Sequence, residues 1–248
     1  MTLVFDRCTY SYTRKAPPVL DRFGAELAAG CTVLLGPNGA GKSTLLGIAS
    51  SYRSPDAGSV TWNGRSPTGR RSRASYRRVV GWLPQDVTPI PGLTVREQAA
   101  YVGWLKGMNR SDAWRKSRGA LARVDLSSLA QRKSHQLSGG QLRRLGIAGA
   151  LVHGAELLLL DEPTAGLDPS QRQVFRDLLH SLRGQVAVVV STHQTEDLDE
   201  LYDEVVVLDS GQVRYQGNVP GFLWHADPQA VAGRRAESAY LSMIRREV

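Results

Sequence analysis

A glycine-rich stretch supplies the first chemistry in this sequence. Residues 36–44 read GPNGAGKST and follow the apolar run CTVLL. Glycines allow successive backbone N–H groups to turn inward and form a cradle for an anion. A helix that begins near Lys42 would point its positive end at the same place, and the lysine ammonium would add a full charge. The stretch therefore predicts a loop that binds triphosphate oxygens, with the Ser43 hydroxyl as a magnesium ligand. The residues assigned to this loop are Gly36, Pro37, Asn38, Gly39, Ala40, Gly41, Lys42, Ser43 and Thr44.

Two adjacent carboxylates follow a second apolar run, in LLLLDEP at residues 157–163. Four leucines should drive this strand into the core and fix its end close to the phosphate loop. Asp161 is then expected to orient the water ligands of a magnesium ion. Glu162 is expected to point toward the γ-phosphate and polarise the attacking water. The pair predicts hydrolysis of a nucleoside triphosphate.

These side chains need a sheet whose strands end at a common edge. Short runs of Val and Leu alternate with helical patterns, as in ELLLLDEP before SQRQVFRDLLHSLRG. Continuous apolar runs are typical of strands covered on both faces. Residues 2–13 and 58–64 alternate instead, which indicates antiparallel strands. Residues 92–153 read mostly as helices. The sequence thus predicts an α/β fold, with a P-loop core and mainly parallel sheet, an antiparallel β subdomain and a helical subdomain.

Composition restricts the classes of protein that remain. The chain has 248 residues, 42% of them hydrophobic, which is ordinary for a globular protein. No apolar run approaches the roughly 18–20 residues that span a bilayer, and the first ten residues have no signal-peptide core. We therefore expect the protein to stay in the cytosol. We also expect its two cysteines, Cys8 and Cys31, to be buried reduced thiols.

The formal net charge of +8 has its densest source in RSPTGRRSRASYRR, residues 65–78, with six arginines. This segment is compatible with a solvated basic surface or with an anionic partner such as a lipid surface. It contains one aromatic residue and no alternation that would indicate a stacking platform for bases. The solvated surface is the favoured interpretation, and no nucleic-acid partner is expected.

The segment LSGGQ at residues 137–141 gives the sequence a family likeness. It resembles the signature motif of the nucleotide-binding subunits of ATP-binding-cassette (ABC) transporters. The glycine loop and LLLLDEP accompany that motif in the same family. The resemblance covers roughly residues 2–218. It implies an ABC ATPase domain at 1–218, with the helical subdomain at about 92–153. Residues 219–248 then form a short C-terminal tail with a helix in AESAYLSMIRR.

The resemblance also implies roles for residues outside the two phosphate-binding motifs. Gln85 in WLPQD looks like the glutamine that touches magnesium and reports the nucleotide state to a membrane partner. Asp168 in AGLD is similar to the D-loop aspartate, which crosses between subunits. His193 in STH looks like the histidine that contacts the γ-phosphate. Tyr12 is favoured over Tyr10 as the aromatic residue that stacks on adenine.

In this family the signature residues face the γ-phosphate held by the opposite subunit. The residues that match that role are Ser138, Gly139, Gly140 and Gln141. The implied active form is a head-to-tail dimer, of this chain with itself or with a close relative, that holds two ATP molecules and Mg²⁺.

The implied partner is a separate transmembrane permease subunit, so the protein should lie peripherally on the inner face of the cell membrane. The region near Gln85 and residues 92–108 should form the groove for that partner. The short tail and several segments look most like exporter subunits for drugs, antibiotics or polysaccharides. An importer subunit and a soluble, non-transport ABC ATPase remain the alternatives, and the transported substrate is left open.

Overall fold

The computed structural model of the chain describes residues 1–244, and over that range it has nine β-strands and nine α-helices. The strands are β1 (Thr2–Tyr10), β2 (Leu20–Ala28), β3 (Cys31–Leu35), β4 (Ala57–Trp62), β5 (Val80–Leu83), β6 (Leu157–Asp161), β7 (Ala187–Thr192), β8 (Glu204–Asp209) and β9 (Gln212–Asn218). The helices are α1 (Lys42–Ala49), α2 (Arg70–Val79), α3 (Val95–Leu105), α4 (Arg110–Arg123), α5 (Gly139–Leu151), α6 (Pro169–Leu182), α7 (Leu198–Leu201), α8 (Val219–Leu223) and α9 (Arg235–Ile244).

The continuous apolar runs form a six-stranded sheet in the order β5-β6-β7-β3-β8-β9. The pairs from β5 to β8 are all parallel, and only β9 joins in the antiparallel direction. The strand β6 illustrates why its sequence does not alternate. Leu158 and Leu160 pack into one core cluster, while Leu157 and Leu159 pack into another on the opposite face. Burial on both faces is what requires a strand of four leucines, and the parallel-sheet prediction is confirmed.

The alternating segments form a second, antiparallel sheet in the order β2-β1-β4. Its inward residues, such as Phe5 and Trp62, share a core cluster with residues of α1 and with one face of the main sheet. This sheet therefore covers α1, the helix that begins at the glycine loop. The other face of the main sheet is covered mainly by the helices α3 to α6.

The segment that reads as helical contains α3, α4 and α5. Each of these helices begins at a side-chain cap: Thr94 and Ser138 form capping boxes, and the Asn109 side chain accepts from the Asp112 amide. Such caps satisfy amides that lack partners within the helix. Of the described residues, none belongs to a helix that is both long and apolar enough to cross a membrane.

The C-terminal segment packs on the main sheet. The fully buried side chains of Phe222 and Ala239, from α8 and α9, lie in the same core cluster as β8. The predicted helix in AESAYLSMIRR is present as α9, although residues 245–248 lie outside the described part of the chain. The short helix α8 was not anticipated. Both cysteines are free and buried, as predicted.

Candidate functional site

The glycine loop connects β3 to α1 and has the conformation that its sequence predicts. Gly39 and Gly41 have φ angles of +85° and +101°, which favour glycine strongly. At Gly36 the space is what matters, because a Cβ there would collide with the carbonyl oxygen of Leu208. Lys42 is buried, and its Nζ donates to the carbonyl oxygens of Gly36 (2.6 Å) and Pro37 (3.1 Å). The ammonium is therefore held against its own loop.

The loop forms one wall of a cavity of about 450 Å³. Residues from distant parts of the sequence line this cavity: Tyr12, Val19, Pro37, Asn38, Gly39, Ala40, Gly41, Lys42, Ser43, Thr44, Gln85, Glu162, Ala165 and His193. Most of the predicted phosphate, base and catalytic residues are thus brought to one place. Gly36 contributes through its backbone, beneath the lysine.

Three ionisable side chains meet in this cavity. Glu162 Oε1 lies 3.7 Å from Lys42 Nζ and 3.2 Å from His193 Nδ1. Burial lowers the pKa of Lys42 from its ordinary value, and the nearby carboxylates of Glu162 and Asp161 oppose that shift. A buried ammonium and a buried carboxylate at this distance compensate each other's loss of solvation. The cavity therefore holds a cation, a carboxylate and an imidazole around one space.

Glu162 has a left-handed backbone with φ of 47°, an uncommon conformation for a residue with a Cβ. Its amide donates to the carbonyl oxygen and the hydroxyl oxygen of Ser191, at 3.1 and 3.0 Å. Strain of this kind persists only where the surroundings fix it, and it is concentrated at functional sites. The turn directs the carboxylate of Glu162 into the cavity, immediately after the buried strand β6.

Asp161 lies one residue earlier and is almost fully buried. Its Oδ1 accepts a 2.5 Å hydrogen bond from the Ser191 hydroxyl on the neighbouring strand β7. It does not line the cavity itself, unlike Ser43 and Gln85. The carboxylate of Asp161, the hydroxyl of Ser43 and the amide oxygen of Gln85 are all oxygen donors, which Mg²⁺ prefers as ligands. Among residues 1–244 there is no cluster of three His, Cys, Asp or Glu that could hold a metal alone.

Of the two candidate tyrosines, Tyr12 lines the cavity and Tyr10 does not. Tyr12 is 53% exposed, and its hydroxyl lies 2.9 Å from Thr44 Oγ1 in the loop. The Tyr10 hydroxyl instead accepts a hydrogen bond from Arg53. The position of Tyr12 is the one suited to contact a base.

The LSGGQ segment lies elsewhere on the chain. Ser138 caps α5 by accepting from the Gln141 amide at 3.3 Å, and neither it nor the two glycines line the cavity. Asp168 caps α6, and hydrogen bonds from the Gln171 amide and the Ser170 hydroxyl lower its pKa. The Gln171 side chain lies against Gly140, where a Cβ would collide with it. The segment and Asp168 thus form a second, separate surface.

Sequence reasoning missed one buried cation, Arg143 on α5. Its guanidinium donates to four backbone carbonyl oxygens: Asp161 (2.8 Å), Pro163 (3.2 Å), Glu162 and Gln85. It therefore ties the helix that begins at LSGGQ to the two predicted catalytic segments. The only signal in the sequence was its position, as the first of two adjacent arginines directly before the small and apolar stretch LGIAGAL on the same helix. Ser191 was also missed as the residue that holds both Asp161 and Glu162.

A glycine loop after the parallel strand β3, two carboxylates at the end of β6 and a helical segment that begins at LSGGQ are the features of an ATP-binding-cassette domain. The chain belongs to the ABC transporter family, whose model matches residues 24–165, more than half of the sequence. The predicted family and the predicted fold class are confirmed by this match and by the structural comparisons below.

Three relatives show the range of this family. The chain is 34% identical over 76% of its length to the uncharacterized ABC transporter ATP-binding protein YxlF of Bacillus subtilis, of which the match spans 62%. It is 39% identical over 82% of its length to the cobalt import ATP-binding protein CbiO of Rhodobacter capsulatus, and covers 73% of that protein. It is 37% identical over 86% of its length to the Nod factor export ATP-binding protein I of Paraburkholderia xenovorans, and covers 69% of it.

Solved structures agree with the fold. A dimeric bacterial ABC transporter cassette superposes with a TM-score of 0.79 at 25% identity, over 88% of this chain and 98% of that one. The same cassette in a dimeric post-hydrolysis state, bound to ADP and Pi, superposes with a TM-score of 0.78 at 25% identity. This second match covers 88% of this chain and 98% of the other.

Proposed function

We propose that the protein is the ATP-binding and hydrolysing subunit of an ABC transporter, and that it drives a separate membrane subunit. The observation that carries this proposal is the meeting of Lys42, Glu162 and His193 in the cavity of the glycine loop, at 3.7 and 3.2 Å from the shared carboxylate oxygen. The cation can balance charge on the phosphates, the carboxylate can orient the attacking water and the imidazole can contact the terminal phosphate, so the three groups suit triphosphate hydrolysis.

Nucleotide binding uses the backbone of residues 36–44 and the N-terminus of α1. The loop amides and the helix dipole favour the phosphates, and the flexible Lys42 side chain exchanges its two carbonyl partners for terminal phosphate oxygens. Tyr12 takes the base. Ser43 and Gln85 would supply oxygen ligands for Mg²⁺, and Asp161 would orient the water ligands of the ion. When bound, the metal offsets charge that develops on the phosphates.

Hydrolysis follows from position more than from covalent chemistry. Glu162, fixed by its backbone bonds to Ser191, accepts a hydrogen bond from the attacking water and polarises it. His193 contacts the Glu162 carboxylate and lies where it can also reach the γ-phosphate. Lys42 balances the negative charge that accumulates on the phosphate oxygens.

The LSGGQ segment and Asp168 support a dimer as the active form. Both lie outside the cavity of their own chain. The LSGGQ segment also forms the N-terminus of α5, and a helix N-terminus can bind an anion. In a head-to-tail pair, Ser138, Gly139, Gly140 and Gln141 of each subunit complete the cavity of the other. The dimeric bacterial cassette among the solved structures supports pairing of two such chains.

A surface on α3 and α4 supports contact with a membrane subunit. Tyr101, Trp104 and Trp114 are exposed and line a shallow groove with Leu93. Large exposed apolar surfaces usually mark interaction sites. The protein then lies on the inner face of the membrane, bound through this groove and the Gln85 region. The domain boundary at residue 218 is part of this proposal.

We propose export as the direction of transport, supported by the relative that exports Nod factors. An importer is the second candidate, because the cobalt import protein CbiO is similar over 82% of this chain. Reconstitution with a membrane subunit that the protein binds, followed by transport assays in vesicles of known orientation, distinguishes the two. Accumulation inside vesicles that expose the ATPase outside indicates export.

The ATPase itself is tested with Lys42→Ala. We expect turnover to fall by about a hundredfold or more, because the site loses its only loop-borne full charge. Arg7→Met, which alters an exposed ion pair on β1, is the control and should keep full activity. Normal turnover by Lys42→Ala contradicts the assigned role.

The dimer is tested with Glu162→Gln. Pairing of two subunits around ATP needs the phosphate contacts but not the Glu162 carboxylate. This variant should therefore bind ATP, hydrolyse it slowly and elute as a dimer in size-exclusion chromatography. The wild-type protein should return to the lighter species as ATP is consumed. A variant that stays monomeric in saturating MgATP contradicts the proposed assembly.

A further inference from the structure

Arg53 lies beside the nucleotide cavity and belongs to none of the motifs above. It follows the end of α1, and its amide donates to the carbonyl oxygen of Gly47 at 2.9 Å. Its aliphatic stem packs on the same residue, since a Cβ at Gly47 would lie 3.2 Å from Arg53 Cδ. The stem is therefore fixed on the helix that also carries Lys42.

The guanidinium of Arg53 reaches a cluster of tyrosines. Its Cζ lies 4.8 Å from the ring centroid of Tyr12, 5.7 Å from that of Tyr10 and 5.6 Å from that of Tyr52. Distances under about 6 Å are those of cation–π contacts. Its Nη1 also donates to the Tyr10 hydroxyl at 2.8 Å. One cation thus links the end of β1 to the end of α1.

Tyr12 is held from three directions as a result. Its ring contacts Tyr10 edge to face at 5.4 Å, its hydroxyl lies 2.9 Å from Thr44 Oγ1, and Arg53 lies over the ring. The residue is nevertheless half exposed and lines the cavity. Without these contacts a half-exposed tyrosine at the end of a strand would occupy several rotamers.

We propose that Arg53 is a positioning residue that holds the Tyr12 ring in place to stack on the base of the bound nucleoside triphosphate. The proposal rests on the proposed function, because it assigns Arg53 to the base end of that same site. The arginine lies over the ring, and the base would contact the part of the ring that is exposed in the cavity. Ordering the ring before binding removes part of the entropy cost of stacking.

This role separates the base from the phosphates. Arg53 contacts Tyr10, Tyr12 and Tyr52, while the phosphate wall consists of Lys42 and the loop amides. Loss of Arg53 should weaken binding of ligands that carry a base and leave inorganic tripolyphosphate unaffected. We expect ATP to bind about threefold to tenfold more weakly, as one cation–π contact and one ordered ring would give.

The experiment measures the dissociation constants of MgATP and of magnesium tripolyphosphate by calorimetry. Arg53→Met keeps the stem and removes the cation, and Arg53→Lys keeps the cation and removes the fork. We expect Arg53→Met to lose affinity for ATP alone and Arg53→Lys to recover part of it. In a Tyr12→Ala background, Arg53→Met should cause no further loss. Arg7→Met is again the matched surface control.

Two results overturn the proposal. Equal losses for ATP and tripolyphosphate place the effect on the phosphate end or on the fold. Additive losses for Arg53→Met and Tyr12→Ala show that the arginine does not act through that ring. Failure of the proposed function is a different observation, because the wild-type protein would then bind neither ligand.

Discussion

Replacement of Arg143 by methionine provides a quantitative test of how the site is held. Methionine has a similar length and suits an apolar environment, but it donates no hydrogen bond. The change leaves four backbone carbonyl oxygens, at Gln85 and at residues 161–163, without the donor they share. It also removes a cation that lies among the carboxylates of Asp161, Glu162 and Asp86.

The expected cost is large because Arg143 is only 9% exposed. Each unsatisfied buried group costs about 1–3 kcal/mol, but water and local adjustment recover part of the total. Removing one member of a buried charged network costs about 3–5 kcal/mol, and we expect Arg143→Met to fall in this range. For a chain of this length, that corresponds to a fall of roughly 6–20 °C in the unfolding midpoint.

Catalysis should suffer in addition to stability. The guanidinium fixes the backbone of Glu162 in its left-handed turn, so its loss displaces the carboxylate from the water position. At a temperature where the variant is folded, we expect kcat to fall by about tenfold to a hundredfold, because small misplacements of reacting groups cause losses of this size. Arg143→Lys keeps the charge but cannot span the four acceptors. Its kcat should therefore lie between those of the wild-type protein and Arg143→Met.

Thermal unfolding followed by circular dichroism and steady-state ATP hydrolysis are the assays. The control is Arg115→Met, which removes an exposed arginine paired with Asp112 on α4 and should cost less than about 1 kcal/mol. If Arg143→Met unfolds within about 1 °C of the wild-type protein and keeps its kcat, the site is not held by this arginine.

Two further outcomes follow from buried ionisable groups. Burial, with Lys106 nearby, lowers the pKa of His153 from 6.5 to about 4, so the unfolded chain binds more protons than the folded one between those values. The free energy of unfolding should therefore fall as the pH falls through that window, by up to about 3 kcal/mol from this group. Over the same pH range, the free energy of unfolding of His153→Gln should fall less than that of the wild-type protein. An equal pH dependence for the two proteins contradicts the assignment. Burial and, to a smaller extent, the nearby Asp203 carboxylate raise the pKa of Cys31 to about 12. At pH 8 a thiol reagent should modify Cys31 only after denaturation, and rapid modification of the folded protein would refute this.

The parts of the site that are local in sequence could be predicted from it. A P-loop depends on a few consecutive residues, because backbone amides and one helix terminus do most of the binding. Glu162 lies 3.7 Å from Lys42 of this loop, and Asp161 precedes it at the end of a strand that four leucines force into the sheet. The same logic indicated the antiparallel strands from their alternation.

Arg143 could not be assigned in this way, because its four acceptors come from the segment around Gln85 and from residues 161–163, far apart in the chain. No local pattern encodes such a contact. The helix α2 was missed for a different reason. Its arginines leave no apolar stripe, and Tyr76 is its only buried residue, so tertiary contacts such as the Tyr76 hydroxyl bond to the Ala49 carbonyl define it.

Short elements escaped prediction because their stability comes from neighbours. The helix α8 has five residues and is held by Phe222, whose side chain is fully buried beside β8 and β9. The strand β5 has four residues and exists because it extends a parallel sheet next to β6. Neither length is enough for a periodic pattern to emerge.

The separation of the glycine loop from the LSGGQ surface has a genetic consequence if unlike chains can pair. In the proposed head-to-tail dimer, a lesion in the loop leaves the LSGGQ surface of that chain intact and available to its partner. Two alleles with lesions in different regions can therefore complement one another, since a mixed pair retains one undamaged site. Two alleles damaged in the same region cannot, because every pairing of them leaves both sites defective.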